Sequence, residues 1–192
     1  MMDGHKSMVN LQTKRLSHQL GLTLRMLERD TPWANRAELY IGILKEAVRK
    51  DLGATNAPMR LWDYALQRRA MIHNLVTRPL FQNDCPPHEI TFGESGDISR
   101  LCDFGFMEFC YYRDHGSFPE NKEKLGQVLG PSINEGNEMA QNILTHKSTI
   151  VVRRSLRRLT VAEENSPLEQ NKRTSFNNTI RNKLVLLTSN FK

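Results

Sequence analysis

The feature that most constrains this chain is a change of periodicity near Gly93. Before it, apolar residues recur at three- and four-residue spacing; after Phe104 they fall into short aromatic and β-branched runs bounded by turn residues. A chain with that grammar is α+β, with helices gathered in the first half and strands in the second. Hydrophobic residues make up 39% of its 192 positions, enough for a core but without surplus.

The most regular helical stretch opens at Thr31-Pro32-Trp33-Ala34-Asn35-Arg36-Ala37-Glu38. Thr31 suits a cap and Pro32 the first helical position. An apolar stripe then runs through Ala37, Ile41, Leu44, Val48 and Leu52, with Asn35, Glu38, Gly42, Lys45 and Arg49 on the opposite face. Such a polar face reads as a solvated stripe or, alternatively, as a metal-binding carboxylate followed by cations that touch phosphates. Lys45 has a second reading in an intrahelical pair with Glu46 or Asp51. Ahead of this helix, Val9 to Leu20 reads as a shorter one stopped by Gly21, and Leu22 to Leu27 as a half-buried strand. After it, Met59 to Asn74 reads as a second long helix, and Pro86-Pro87 starts one further turn.

Past the linker-like residues 93–103, strands are expected over Phe106 to Arg113, Leu125 to Leu129, Ala140 to Thr145 and Thr149 to Ser155. Four or five short strands in about sixty residues make a small barrel or curled sheet. The tail from residue 160 is polar, with a helix around Asn177 to Leu187. The domain layout is therefore 1–92, a linker at 93–103, a barrel at 104–159 and a tail at 160–192.

Charge is unevenly spread. Residues 1–80 carry 13 Lys/Arg against 7 Asp/Glu, residues 81–145 carry 4 against 11, and residues 146–192 carry 10 against 3. Two basic regions around an acidic one suggest polyanion-facing surfaces. Arg153, Arg154, Arg157 and Arg158 leave the last strand as two adjacent pairs, which cannot all point inward, so a phosphate-facing cluster is expected. Trp33 and Trp62 read as core, and His73, His88 and His115 are scattered, without a ligand or base pattern. No apolar run approaches the ~20 residues of a membrane span, and the amino terminus lacks a signal-peptide core, so no membrane partner is expected. Three cysteines at Cys85, Cys102 and Cys110 have no metal spacing and read as thiols in an intracellular, reducing compartment. No Ser-His-Asp, Cys-His or phosphate-loop arrangement occurs.

Taken in order, several pieces resemble the integrase region of copia-type LTR retrotransposon polyproteins, over roughly residues 1 to 185. Asp3-Gly4 resembles the second acidic position of a DDE catalytic core, and Pro32, Asn35 and Glu38 fit the Pro-x-x-Asn-x-x-Glu pattern around the third. His73-Asn74, Pro79-Leu80 and Pro86 resemble the segment after the core. Phe118-Pro119-Glu120, Lys124-Leu125-Gly126, Leu129-Gly130, Ile143-Leu144-Thr145 and Val151-Val152-Arg153-Arg154-Ser155 resemble the strands of the C-terminal barrel. No single piece is specific; their order and spacing carry the resemblance. It implies an α+β fold, a truncated RNase H-like core fragment followed by a small β-barrel and a tail helix. It also implies catalytic and metal-binding roles for Asp3 and Glu38, with Mg²⁺ or Mn²⁺ as cofactor in the intact family. DNA contacts fall to Asn35, Lys45, Arg49 and the four arginines, with DNA as partner and RNA as the alternative polyanion.

The sequence departs from the pattern in three places. His146-Lys147-Ser148 stands where the family often has a glycine hairpin, Gln141 lies where an aromatic is common, and the chain opens at the second aspartate. The first aspartate and its strands have no counterpart, so two-ion chemistry is not expected of the chain alone, and this fragment is expected to bind no metal. A second copy or an upstream polyprotein half would have to complete the core, with a nuclear location if it serves as an integrase fragment. A non-catalytic DNA- or RNA-binding module derived from a transposable element is the alternative.

Overall fold

The computed structural model describes residues 11–22, 36–76, 85–114, 122–133 and 139–186. These divide into two compact units, residues 1–46 and 47–192. Among the described residues the fold is mixed α+β with one antiparallel sheet. The cap expected at Thr31-Pro32, the strand from Leu22 to Leu27 and Trp33 lie outside the described residues, apart from Leu22 itself.

In the first unit, α1 (Leu11–Gln19) ends in a turn with Gly21 in the left-handed region, at φ 64°. Leu11 and Leu16 of this helix and Leu20 just after it are exposed, and Ser17 is its buried residue. The helix α2 (Arg36–Thr55) starts in this unit, where Ile41 is half exposed, and continues into the second, where Val48 and Leu52 are buried. Of the stripe's described positions, Ala37 and Ile41 are exposed, Leu44 is half-buried, and Val48 and Leu52 join the second unit's core.

The second unit continues through a 3₁₀ turn (Met59–Leu61) into α3 (Trp62–Leu75), then α4 (Pro87–Phe92) and α5 (Ser99–Cys102). Helix α4 shows the punctuation its sequence promises: proline at its first position, and Gly93 at φ 76° donating its N–H to the Glu89 carbonyl as a left-handed cap. Trp62, expected in the core, is 53% exposed at the start of α3, where Leu61 and Ala65 take the buried positions instead.

Five strands follow: β1 (Phe109–Arg113), β2 (Glu123–Pro131), β3 (Gln141–Thr145), β4 (Ile150–Arg153) and β5 (Leu156–Arg158), in the order β4-β3-β2-β1-β5. The connection from β4 to β5 dictates the sheet's shape. Arg154 and Ser155 alone join the two edge strands. Flat, those edges would stand ~19 Å apart, at four strand spacings, whereas three Cα steps reach at most ~11 Å. The two strands also meet β2 at opposite ends, since Arg153 aligns through Gln141 with Pro131, and Leu156 through Tyr112 with Lys124. The sheet must therefore coil on itself. Asp114, just past β1, spans the seam by accepting from Arg153 at the end of β4 (3.0 Å) and from Lys124 of β2 (2.7 Å).

Coiling gives the sheet an inner and an outer face, and both are covered. Cys110, Tyr112, Val128 and Ile143 pack inside with Phe104, Val151 and Leu156. Leu129 and Leu144 face the helices and pack with Val48, Leu52, Ala65, Phe176, Ile180 and Leu184. That double cover explains why all five residues of β3 are buried with no polar alternation. Val128 and Leu129 are both fully buried, one on each face, as the alternation of consecutive strand residues requires, and a register shift follows between Val128 and Gly130. The helix expected at Asn177 to Leu187 begins ten residues earlier, as α7 (Pro167–Leu186), preceded by the short α6 (Val161–Asn165). Through Phe176, Ile180 and Leu184, α7 belongs to the main core.

Candidate nucleic-acid interface

The residues expected to meet nucleic acid or metal fall into three groups. Asp3 and Asn35 lie outside the described residues. Glu38 and Lys45 are exposed on α2 in the first unit, and Arg49 is exposed on α2 in the second. Asp51, one alternative partner for Lys45, is instead held by Arg69 of α3, whose Nε donates to Oδ2 at 2.6 Å and whose Nη2 donates to Oδ1. Among the described residues no group of three or more His, Cys, Asp or Glu side chains is placed to hold a metal ion.

The four arginines of the β4–β5 region are brought together, but each is treated differently by the fold. Arg153 closes the seam on Asp114. Arg154 is exposed in the turn between the strands. Arg158 stacks over the Phe104 ring at 5.5 Å, donates to the Asp103 carbonyl and pairs with Glu108 at 3.4 Å. Arg157 is the most heavily engaged. Its guanidinium lies 4.5 Å over the Tyr111 ring, its neighbour across the β1–β5 ladder. Nε and Nη2 donate to Glu123 at 3.2 and 2.9 Å, and Nη1 and Nη2 donate to Glu163 at 2.9 and 3.0 Å.

The electrostatics follow from those bonds. The Arg157 hydrogen bonds, with help from the backbone N–H of Thr160, hold the Glu163 carboxyl down at about 2. Glu123 is lowered for the same first reason, its bond to Arg157. The two carboxylates in turn raise the Arg157 guanidinium further above its ordinary value. Beside them, burial and a 2.7 Å hydrogen bond to Glu169 push the Tyr111 hydroxyl up to about 12. Glu169, at the start of α7, also accepts from Lys172 at 2.6 Å.

Charge blocks that are separate along the chain thus meet in space. Asp114, Glu123 and Glu108 come from the acidic segment 81–145, while Arg153, Arg157 and Arg158 come from the basic segment 146–192. Tyr111, Glu123 and Glu163 were not singled out in the sequence. One signal for Glu163 was present: Thr160-Val161-Ala162-Glu163 is a capping-box pattern, and the structure forms it in both directions.

No protein-family model matches the chain, and no curated protein is similar to it. No helix among the described residues is long and apolar enough to cross a membrane.

Proposed function

We propose that this chain is a fragment of a copia-type retrotransposon integrase, with an RNase H-like core portion ahead of a nucleic-acid-binding sheet, and that it binds nucleic acid without joining DNA ends by itself. The observation that carries the reading is a coincidence of position. Of the pieces that resemble the integrase barrel, those from Lys124 to Ser155 fall within a coiled antiparallel sheet at Phe109–Arg158 that carries four arginines around its seam, while Phe118-Pro119-Glu120 lies outside the described residues. Exposed Lys45 and Arg49 on α2 supply further cations downstream of Glu38. In this reading the cations serve phosphates, which fixes position on the polymer but carries no sequence information.

Strand transfer needs two divalent ions ~4 Å apart, bridged by carboxylates, to activate one oxygen and stabilise another. Asp3 and Glu38 match two of the three acidic positions in the resemblance, and the bridging one has no match in the 192 residues. A non-catalytic binding module is favoured by a different observation: residues 47–192 form a compact unit with their own cores.

The deciding experiment is an end-joining assay with Mg²⁺ and Mn²⁺, run beside DNA binding at two salt concentrations. The proposal expects salt-dependent, largely sequence-independent binding with no joining, and a Glu38→Gln variant indistinguishable in the assay. Metal-dependent joining that disappears in Glu38→Gln would show a recruited third carboxylate, for example Asp30 or one from a second copy, and overturn it. Absence of binding at low salt would overturn both readings.

A further inference from the structure

We propose that Glu163 of α6 and Glu123 of β2 form an autoinhibitory clasp over Arg157, holding its donors away from nucleic-acid phosphates until a strand displaces them. The inference rests on the nucleic-acid reading above and names how that surface is regulated.

Access is not what limits Arg157, because its side chain is 39% exposed. Its hydrogen-bonding capacity is what is used up. A guanidinium has five N–H donors. Here Nε serves Glu123, Nη2 serves Glu123 and Glu163, and Nη1 serves Glu163 and the Arg158 carbonyl at 3.4 Å. One face of the plane rests on Tyr111. A phosphate can reach this arginine only by replacing a carboxylate, and a carboxylate is the group whose paired oxygens most nearly copy a phosphate's.

The two jaws of the clasp differ in how they are held. Glu123 is fixed in β2 opposite Arg113. Glu163 sits on a five-residue helix with no buried residue, held by its capping box, by Arg157 and by Arg173 of α7, whose Nη2 donates to the Glu164 carbonyl at 2.6 Å. That tie to α7 runs through the backbone, and α7 itself is anchored by Tyr111 on Glu169 and by Phe176 in the core. Swinging the Glu163 side chain off Arg157 breaks neither the backbone tie nor the sheet.

The test uses the full chain, a fluorescein-labelled 20-base-pair duplex and anisotropy across a salt series. Glu123→Gln/Glu163→Gln is compared with Asp63→Asn/Glu94→Gln, which removes the same charge from exposed positions elsewhere. Glutamine at position 163 preserves the capping box, so α6 retains its cap; Glu163→Gln alone is the milder variant should the pair unfold. The expected result is about tenfold tighter binding than the control pair, with a log–log salt slope steeper by about one, the signature of one more phosphate contact. Adding Arg157→Gln should abolish the gain. A gain no larger than the control's, or one that survives Arg157→Gln, would overturn the clasp while leaving the nucleic-acid reading in place. If neither the parent nor the released variants bind the duplex at the lowest salt, that reading falls and the clasp with it.

Discussion

Arg157 illustrates how little an arginine's identity says about its partner. The same fork that fits a phosphate fits a carboxylate, and β-strand register brings Glu123 and the start of α6 to it first. A pH dependence follows from Glu163. Its folded value of about 2 lies below its ordinary 4.5, so between these values the unfolded chain binds more protons than the folded one. The stability this carboxylate contributes is complete above pH ~4.5 and is lost as pH falls towards ~2. Thermal melts from pH 6 to pH 2 should show a steeper acid limb in the parent than in Glu163→Gln. A second residue-scale prediction concerns the cysteines. Burial, with Glu108 nearby, pushes the Cys110 thiol up to about 12, whereas Cys102 is exposed. A thiol reagent at pH 8 should label Cys102 in the native protein and reach Cys110 only on unfolding, followed by peptide mapping.

At the scale of elements, the sheet's coil depends on Gly126 of β2. A Cβ there would lie 2.5 Å from Ile143 Cγ2 and 3.1 Å from both the Leu144 carbonyl and Tyr112 Cδ1. Ile143 is fully buried and has nowhere to move, so Gly126→Ala should destabilise by about 1–3 kcal/mol, read as a lower denaturation midpoint. Helix α7 carries the complementary prediction. Ile180 is among the largest fully buried side chains and closes the outer face of the sheet. Ile180→Ala should cost about 2–5 kcal/mol, although composition alone marks this helix as polar tail. Exposed Leu168 on the same helix serves as the control, and its alanine variant should be near neutral.

For the whole molecule, stability and binding draw on the same four arginines. Replacing Arg153, Arg154, Arg157 and Arg158 together by alanine should lower both DNA affinity and its salt slope. The same change breaks the seam contact with Asp114 and the pairs with Glu108, Glu123 and Glu163, so the melting temperature should fall as well. Affinity measured well below the lowered melting temperature separates the two effects. An unchanged affinity there would move the phosphate surface away from the β4–β5 region.

What the sequence determined by itself is what depends on neighbours in the chain. Proline at the start of α4 and Gly93 after it, the break before the first strand, and the β2, β3 and β4 segments were all legible, because local sterics and side-chain alternation decide them. Tertiary structure decided the rest. The last expected strand, Thr149 to Ser155, ends at Arg153 as β4, and a further strand not expected, β5, follows Arg154-Ser155 on the opposite edge, an outcome that depends on pairing with β1 more than forty residues away. Which end of the α2 stripe is buried depends on where Phe176 and Ile180 arrive, and no period within α2 encodes that. The arginines follow the same logic. Their number and spacing are sequence properties, but whether a charge faces solvent or a carboxylate is settled by long-range packing, since Coulomb attraction acts on distance in space rather than along the chain.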